Sequence, residues 1–267
     1  MSSSDADLGE QGKASYVDVE RTVRALGKDH DDIEPVIAEV PVALVFNGIS
    51  HAVMMATPAD LEDYARGFAF SEGIVERPEH ILDVVIGDIT PAGVVVEVSI
   101  TNGAFYKFKE HRRNLAGTSG CGLCGKESLS QVIRPLPRLA HLELPAPAAL
   151  EIAVASIRDL QRLAKITSAA HAAAWCSPSG EILALREDVG RHNALDKLIG
   201  WRGRKAEPGF ALVSSRASYE MVTKAAMSGI GVMVAVSAPT SLAVSSARES
   251  GVRLVAFTTH SRHVIYA

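Results

Sequence analysis

Stretches of two-residue hydrophobic alternation and stretches of helical spacing follow one another along the chain and mark out its elements. VALVF (42–46) and HAVMM (51–55) flank Asn47-Gly48, a pair suited to a tight hairpin turn. Thr57-Pro58 predicts a helix start, with Thr57 as cap and Pro58 at the first helical position. Leu61, Tyr64, Ala65 and Phe68 follow at helical spacing, and Gly73 closes the run. Residues 81–86 and 93–100 read as strands. Leu150, Val154, Ile157, Leu160 and Ala164 share one face of a predicted helix. HAAAW (171–175) and EILAL (181–185) flank Ser-Pro-Ser-Gly, which predicts a second hairpin.

The last third alternates regularly. FALVS (210–214), GVMVAV (231–236) and RLVAF (253–257) read as buried strands, separated by helices from Ser218 to Ser228 and from Ser241 to Glu249. That order predicts parallel strands joined by right-handed crossovers. The loops after the three strands then emerge at one carboxyl edge, where open α/β sheets bind ligands. These loops carry Ser214, Arg216, Ser237 and Thr240, and the run Phe257, Thr258, Thr259, His260, Ser261 and Arg262. Hydroxyls, guanidinium groups and an imidazole suit a phosphate-bearing anion.

Composition narrows the class. With 47% hydrophobic and 22% charged residues in 267, the chain can bury a sizeable core, which excludes wholesale disorder. No apolar stretch reaches the roughly 20 residues needed to span a bilayer. MSSSDADLGEQG has neither the basic start nor the apolar core of a secretory signal. Residues 1–40 carry 10 acidic and 4 basic side chains, and the remainder is nearly balanced at 21 against 23. No basic stripe for a nucleic-acid backbone results. The expected organisation is α/β. A disordered polar leader (1–35) precedes a smaller N-terminal α+β lobe (36–134) that ends in a cysteine loop (117–129). A Pro-rich connection (135–149) leads to an α/β domain (150–267).

The sharpest chemistry lies in GTSGCGLCGKESL (117–129). Glycines surround Cys121 and Cys124, Lys126 follows, and Arg112 and Arg113 lie upstream. Nearby positive charge lowers a thiol pKa and favours the thiolate. Three readings fit the pair. One is a structural zinc site, which needs four ligands and would draw in Cys176 and a histidine. Another is a thioredoxin-like dithiol, which should open a helix. The third is a persulfide carrier. Spacing alone does not choose among them. Cys176 itself reads as a small, partly buried side chain. Three cysteines without an export signal argue for reduced thiols in a cytosol. A second charged run, REDVGRHNALDKLIG (186–200), offers Arg186, Asp188, His192 and Lys197, either as site groups or as the solvated face of a short helix.

Four segments in fixed order, GTSGCGLCGKESL, REDVGRHNALDK, SSRASYEMVTKA and VSAPTSLAV, resemble the FdhD family of formate dehydrogenase accessory sulfurtransferases. The resemblance spans residues 38–267 and includes VFNGISHAVMMATPADLEDYARGFAFSEGI (45–74). It implies a homodimeric cytoplasmic protein whose main domain is related to the cytidine deaminase fold. It implies that a cysteine desulfurase supplies sulfur as a cysteine persulfide. The acceptor is the molybdenum or tungsten bis-molybdopterin guanine dinucleotide cofactor of formate dehydrogenase. By motif position, Cys121 is the persulfide cysteine and Cys124 its partner, and Phe257 to Arg262 is the cofactor-binding stretch. No structural metal is expected.

The chain departs from the family pattern in three places. Only Glu39 precedes Val40-Pro41, where two glutamates are usual. Thr167-Ser168-Ala169-Ala170 precedes His171 in place of a glycine pair and threonine. Thr259 stands where an arginine is more frequent. A zinc deaminase is not expected, because Gly120, not proline, precedes Cys121 and His171 is followed by Ala172 and Ala173 rather than by a glutamate two residues on. The competing function is a cofactor-binding chaperone that docks on the apoenzyme without carrying sulfur.

Overall fold

The computed structural model of the chain describes residues 6–10, 15–114, 135–205, 207–259 and 261–267, with the side chains of 111–114 left aside. The polar leader is not uniformly disordered. Strands β1 (Tyr16–Ala25) and β2 (Lys28–Ile37) form a two-stranded antiparallel hairpin with mostly exposed side chains. Its charges pair across the strands. Arg24 lies 2.7 Å from Asp29, Thr22 Oγ1 donates to Asp31 at 2.8 Å, and Arg21 engages both Asp32 and Glu34. Acidic and basic residues that looked like a disordered composition are facing partners on a ribbon. Upstream, the Asp7 main chain pairs with Leu183 and Leu185 at 2.8 Å on the edge of the larger sheet.

A four-stranded sheet follows, built from β3 (Val40–Phe46), β4 (Ile49–Ala56), β5 (Ile81–Ile86) and β6 (Val94–Ile100) in the order β4-β3-β6-β5. The predicted hairpin turn is present, and Asn47 and Gly48 both take positive φ. Alternation places Val42, Leu44, Val96 and Val98 on the buried face, against Tyr64 and Phe68 of helix α1 (Leu61–Ser71). Helix α1 begins at Leu61, not at Pro58. Thr57 does not cap it, because the Thr57 hydroxyl accepts from Val189 and its N–H donates to Asp188. Helix α2 (Asn102–Asn114) closes this half.

The predicted helix after residue 150 is two helices, α3 (Pro147–Leu160) and α4 (Arg162–Thr167). The Glu187 carboxylate accepts from the Leu163 and Ala164 amides at 2.8 Å and gives α4 its own start. The break makes Leu163, rather than Ala164, the buried position. The remaining elements are β7 (His171–Cys176), β8 (Ile182–Asp188), α5 (Arg191–Gly203), β9 (Phe210–Val213), α6 (Tyr219–Met227), β10 (Val232–Ala235), α7 (Ser241–Ser250), β11 (Arg253–Thr259) and β12 (Arg262–Ile265). Their sheet runs β12-β11-β10-β9-β7-β8. Strands β9, β10 and β11 are parallel, as the alternation predicts. Strand β7 is antiparallel to both β8 and β9, so β8 shares their direction. Helices α5, α6 and α7 cover one face and α3 the other.

The two halves meet where α1 crosses α5. A Cβ on Gly67 would overlap the Asp196 carbonyl, and one on Gly200 would overlap the Asp63 carbonyl, so the backbones touch directly. The 186–200 run is therefore no solvated face. Arg186, Asp188, Asn193, Asp196 and Lys197 are all buried. Lys197 Nζ lies 2.7 Å from Asp188 and donates to the Thr57 and Glu187 carbonyls. Asn193 donates to Asp188 and to the Met55 carbonyl. Lys224 Nζ meets Asp196 at 2.9 Å and Glu72 at 2.8 Å. Burial draws the Lys224 ammonium toward neutrality, but Asp196 and Glu72 outweigh it and hold its pKa above the ordinary lysine value.

Candidate functional site

Strands β8, β9, β10 and β11 all end at one edge of the large sheet, and α5, α6 and α7 start there. Four loops converge, one more than the sequence predicts. Helix N-termini expose unpaired amides and a partial positive charge, which favours anions. Main-chain bonds stitch the loops together. Ser214 N donates to Ala172 O at 3.0 Å, Ala217 N to Ala238 O at 3.2 Å, and Phe257 N to Ser237 O at 3.1 Å. The edge is thus held as one surface.

The predicted site residues fall into distinct roles on this edge. Arg216, Thr259, Ser261 and Arg262 are exposed, and Ser237 is partly so. Phe257 is 41% exposed with φ of 51°, in the left-handed region that a bulky residue rarely adopts, at a register shift between Ala256 and Thr259. That bulge turns the aromatic ring outward. Three hydroxyls expected to face a ligand are otherwise placed. Ser214 Oγ accepts from the Ala172 amide at 2.9 Å, Thr240 Oγ1 caps α7 by accepting from Ala243 N, and Thr258 is fully buried. The Thr258 position follows from strand alternation, which turns its side chain inward between exposed Phe257 and Thr259. Cys121, Cys124 and His260 lie outside the described residues.

The structure adds residues that the sequence reading left undecided or set aside. Arg191 and His192 open α5, directly after β8. His192 Nε2 sits 2.8 Å from Glu220 Oε2 of α6, and this contact holds the Glu220 carboxyl below its usual range. His171, at the start of β7, faces Asp188 in the register. Burial, then the Arg191 charge, pushes the His171 imidazole below its usual pKa. Among the described residues, Arg191 Nε, Ser218 Oγ and Thr258 Oγ1 are buried without a hydrogen-bond partner. Buried polar atoms normally find partners. Three orphans at or beside one cationic edge therefore fit a bound polar ligand. The available signal was that strand β8 runs through Val189-Gly190 straight into α5, as β9 and β10 run through short loops into α6 and α7.

Cys176 ends β7 at the opposite edge and is completely buried, not partly so. Burial pushes its thiol far above the usual range, so it is unreactive at neutral pH. Among the described residues, no three His, Cys, Asp or Glu side chains are grouped to hold a metal ion. No helix among them is long and apolar enough to cross a membrane.

The fold and edge define a mixed α/β protein with a helix-N-terminus surface suited to anions. The chain belongs to the FdhD/NarQ family, whose sequence pattern matches residues 37–267. It is 50% identical over 238 residues to the sulfur carrier protein FdhD of Cupriavidus necator, covering 88% of this chain and 82% of that one. It is 48% identical over 273 residues to the sulfur carrier protein FdhD of Chromobacterium violaceum, covering 100% and 99%. Its fold matches that of a candidate formate dehydrogenase accessory protein from Desulfotalea psychrophila. There the TM-score is 0.72 at 23% identity, over 94% of this chain and 96% of that one.

Proposed function

We propose that this protein is a cytoplasmic sulfur carrier that matures formate dehydrogenase. The carrying observation is the near-50% identity, along almost the whole chain, to relatives named sulfur carrier protein FdhD. In this reading the Cys121 thiolate attacks the terminal sulfur of a persulfide on a cysteine desulfurase. The new S–S bond forms at Cys121 as the desulfurase thiolate leaves, so the exchange involves no net oxidation. Cys124 assists, by relaying the sulfur or shielding the loop. The sulfur then passes to the molybdenum or tungsten bis-molybdopterin guanine dinucleotide cofactor, the cargo destined for the formate dehydrogenase apoenzyme.

The carboxyl edge supports the cargo half of this reading. Its helix N-termini, Arg191, Arg216, Arg262 and the exposed Phe257 offer donors for phosphates and an aromatic face for a guanine. The lobe through residue 134 carries the sulfur, residues 150–267 hold the cofactor, and 135–149 connect them. The β-α-β-α-β order of the last third is what a relationship to the cytidine deaminase fold requires. A homodimer agrees with the outer face of the smaller sheet, where Val53, Met55, Val85 and Val95 are exposed together.

Intact-protein mass spectrometry after incubation with a cysteine desulfurase and free cysteine tests the proposal. One added sulfur is expected, removable by reductant and absent in Cys121→Ala. The same variant is expected not to restore formate dehydrogenase activity in cells lacking the native protein. Activation that survives the substitution would replace the carrier reading with that of a cofactor-holding chaperone.

A further inference from the structure

A second cationic concavity lies at the other edge of the large sheet, away from the strand ends just described. It is a cleft of about 540 Å³ at the start of β11, lined by Arg138, Leu139, His141, Arg248, Gly251 and Arg253, among others. That volume is within the range of small-molecule sites. We propose that this cleft binds a small phosphate-bearing anion, independently of the carboxyl edge.

The walls are built from main chain. Leu139 N donates to Ser250 O at 2.7 Å, at the end of α7. Gly251 takes a φ of 78°, and a Cβ there would meet the Leu139 carbonyl at 2.8 Å. The irregular segment carrying Arg138 and His141 is therefore seated directly on the turn between α7 and β11. Two arginines are fixed by their Nε atoms. Arg248 Nε donates to Tyr266 O and Arg253 Nε to Ala267 O, each at 3.2 Å. Arg253 also reaches His141 Nε2 at 3.2 Å, while Glu143 lies 3.6 Å from the same ring nitrogen. No partner for the Arg138 guanidinium occurs among the described residues. Three guanidinium groups and an imidazole thus line one cleft, with the Ala267 oxygen that holds Arg253 in its wall and the Glu143 carboxylate nearby.

Guanidinium forks match the oxygens of phosphate and carboxylate, and holding them in place beforehand lowers the entropic cost of binding. The concave, main-chain-lined shape favours a compact ligand over an extended peptide. Phosphate is favoured over a single carboxylate because three cations converge on a site of this size.

The test is an NMR titration of the isotope-labelled full-length protein with inorganic pyrophosphate at low salt, with citrate and an acidic hexapeptide as parallel arms. Saturable pyrophosphate shifts are expected at residues 138–141 and 248–253. Affinity is expected to fall at least about tenfold in Arg138→Ala and in Arg248→Ala. Both positions are exposed, so the variants should fold normally. Arg216→Ala and Arg262→Ala, at the opposite edge, are expected to leave the titration unchanged. Absence of saturable pyrophosphate binding would overturn the proposal. So would shifts confined to the carboxyl edge, or binding indifferent to Arg138 and Arg248. Preference for citrate would replace phosphate by carboxylate as the ligand chemistry, and binding of the hexapeptide alone would make the cleft a protein-docking site. Either result rejects the phosphate assignment without bearing on the sulfur-carrier reading.

Discussion

Asp60 shows how a single carboxyl group is set by its surroundings. It sits before α1 with φ of 51°, accepts from Glu10 N at 2.6 Å, and lies 3.7 Å from Arg186. Burial pushes its pKa up to about 6, although Arg186 pulls the other way. Glu10, Asp7, Glu62 and Asp63 crowd the same cleft, against Arg186 and Arg204. Because the folded value exceeds the unfolded one, the native state binds the proton more tightly. This contribution is full below about pH 4 and is lost as the pH rises through 6. Asp60→Asn keeps an oxygen for Glu10 N and removes the buried charge. It is expected to match the parent near pH 4 and to exceed it by up to about 3 kcal/mol above pH 7, as read from urea unfolding at the two pH values. Equal stability at both would show that Arg186 neutralises Asp60 completely. None of this was legible from the sequence. The charges of 186–197 stood out as a cluster, but most of their partners lie far off in the chain, in residues 7, 55–71, 163–164 and 224. Only the tertiary fold shows that Arg186, Asp188 and Lys197 are buried fastenings while Arg191 and His192 remain for the site.

Elements governed by local periodicity were readable in advance, and elements governed by distant contacts were not. The two hairpins and the parallel strands β9, β10 and β11 follow from alternation and turn residues alone. The start of α1 and the break at Gln161 do not, because Asp188 and Glu187 from the 186–188 segment decide both. The β1–β2 ribbon escaped for another reason: its strand signal is written in facing charges, not in apolar alternation. The contact of α1 with α5 also depends on pairing that a single segment cannot reveal. Gly67 and Gly200 each sit under a carbonyl of the other helix, so an added methyl must push the helices apart. Gly67→Ala is expected to cost about 3 kcal/mol, at the upper end of overpacking effects, despite the better helix propensity of alanine. Gly103→Ala in α2 meets nothing within 4 Å and is expected to be neutral or to stabilise by up to about 1 kcal/mol. Thermal or urea denaturation of the pair distinguishes close helix contact from a general effect of replacing glycine. Equal changes in both would refute the contact argument.

At the scale of the molecule, the buried charges join two cores that could otherwise separate. One core fills the smaller sheet with α1, and the other lies between the large sheet and α5, α6 and α7. Between them, Lys197 holds Asp188 and the Thr57 carbonyl, Asn193 holds Met55, and Lys224 holds Glu72. The same segment, continuing from β8 into α5, supplies Arg191 and His192 to the carboxyl edge, so fastening the halves also fixes part of the site. Lys197→Met keeps the length of the side chain but leaves Asp188 charged and buried. Removal of one partner from such a pair costs about 3–5 kcal/mol. The loss falls on the junction, so it should reduce cooperativity as well as total stability. Trp175 and Trp201 both belong to the larger core, so their fluorescence follows that half, whereas far-ultraviolet circular dichroism follows all the elements. The two signals are expected to change together during urea unfolding of the parent and to separate in Lys197→Met. Adding Asp188→Asn removes the stranded charge and is expected to recover part of the stability without recovering full coincidence of the two curves. Coincident curves in Lys197→Met would show that the α1–α5 contact and the remaining polar links suffice to couple the halves and that the Lys197–Asp188 pair is dispensable for that coupling.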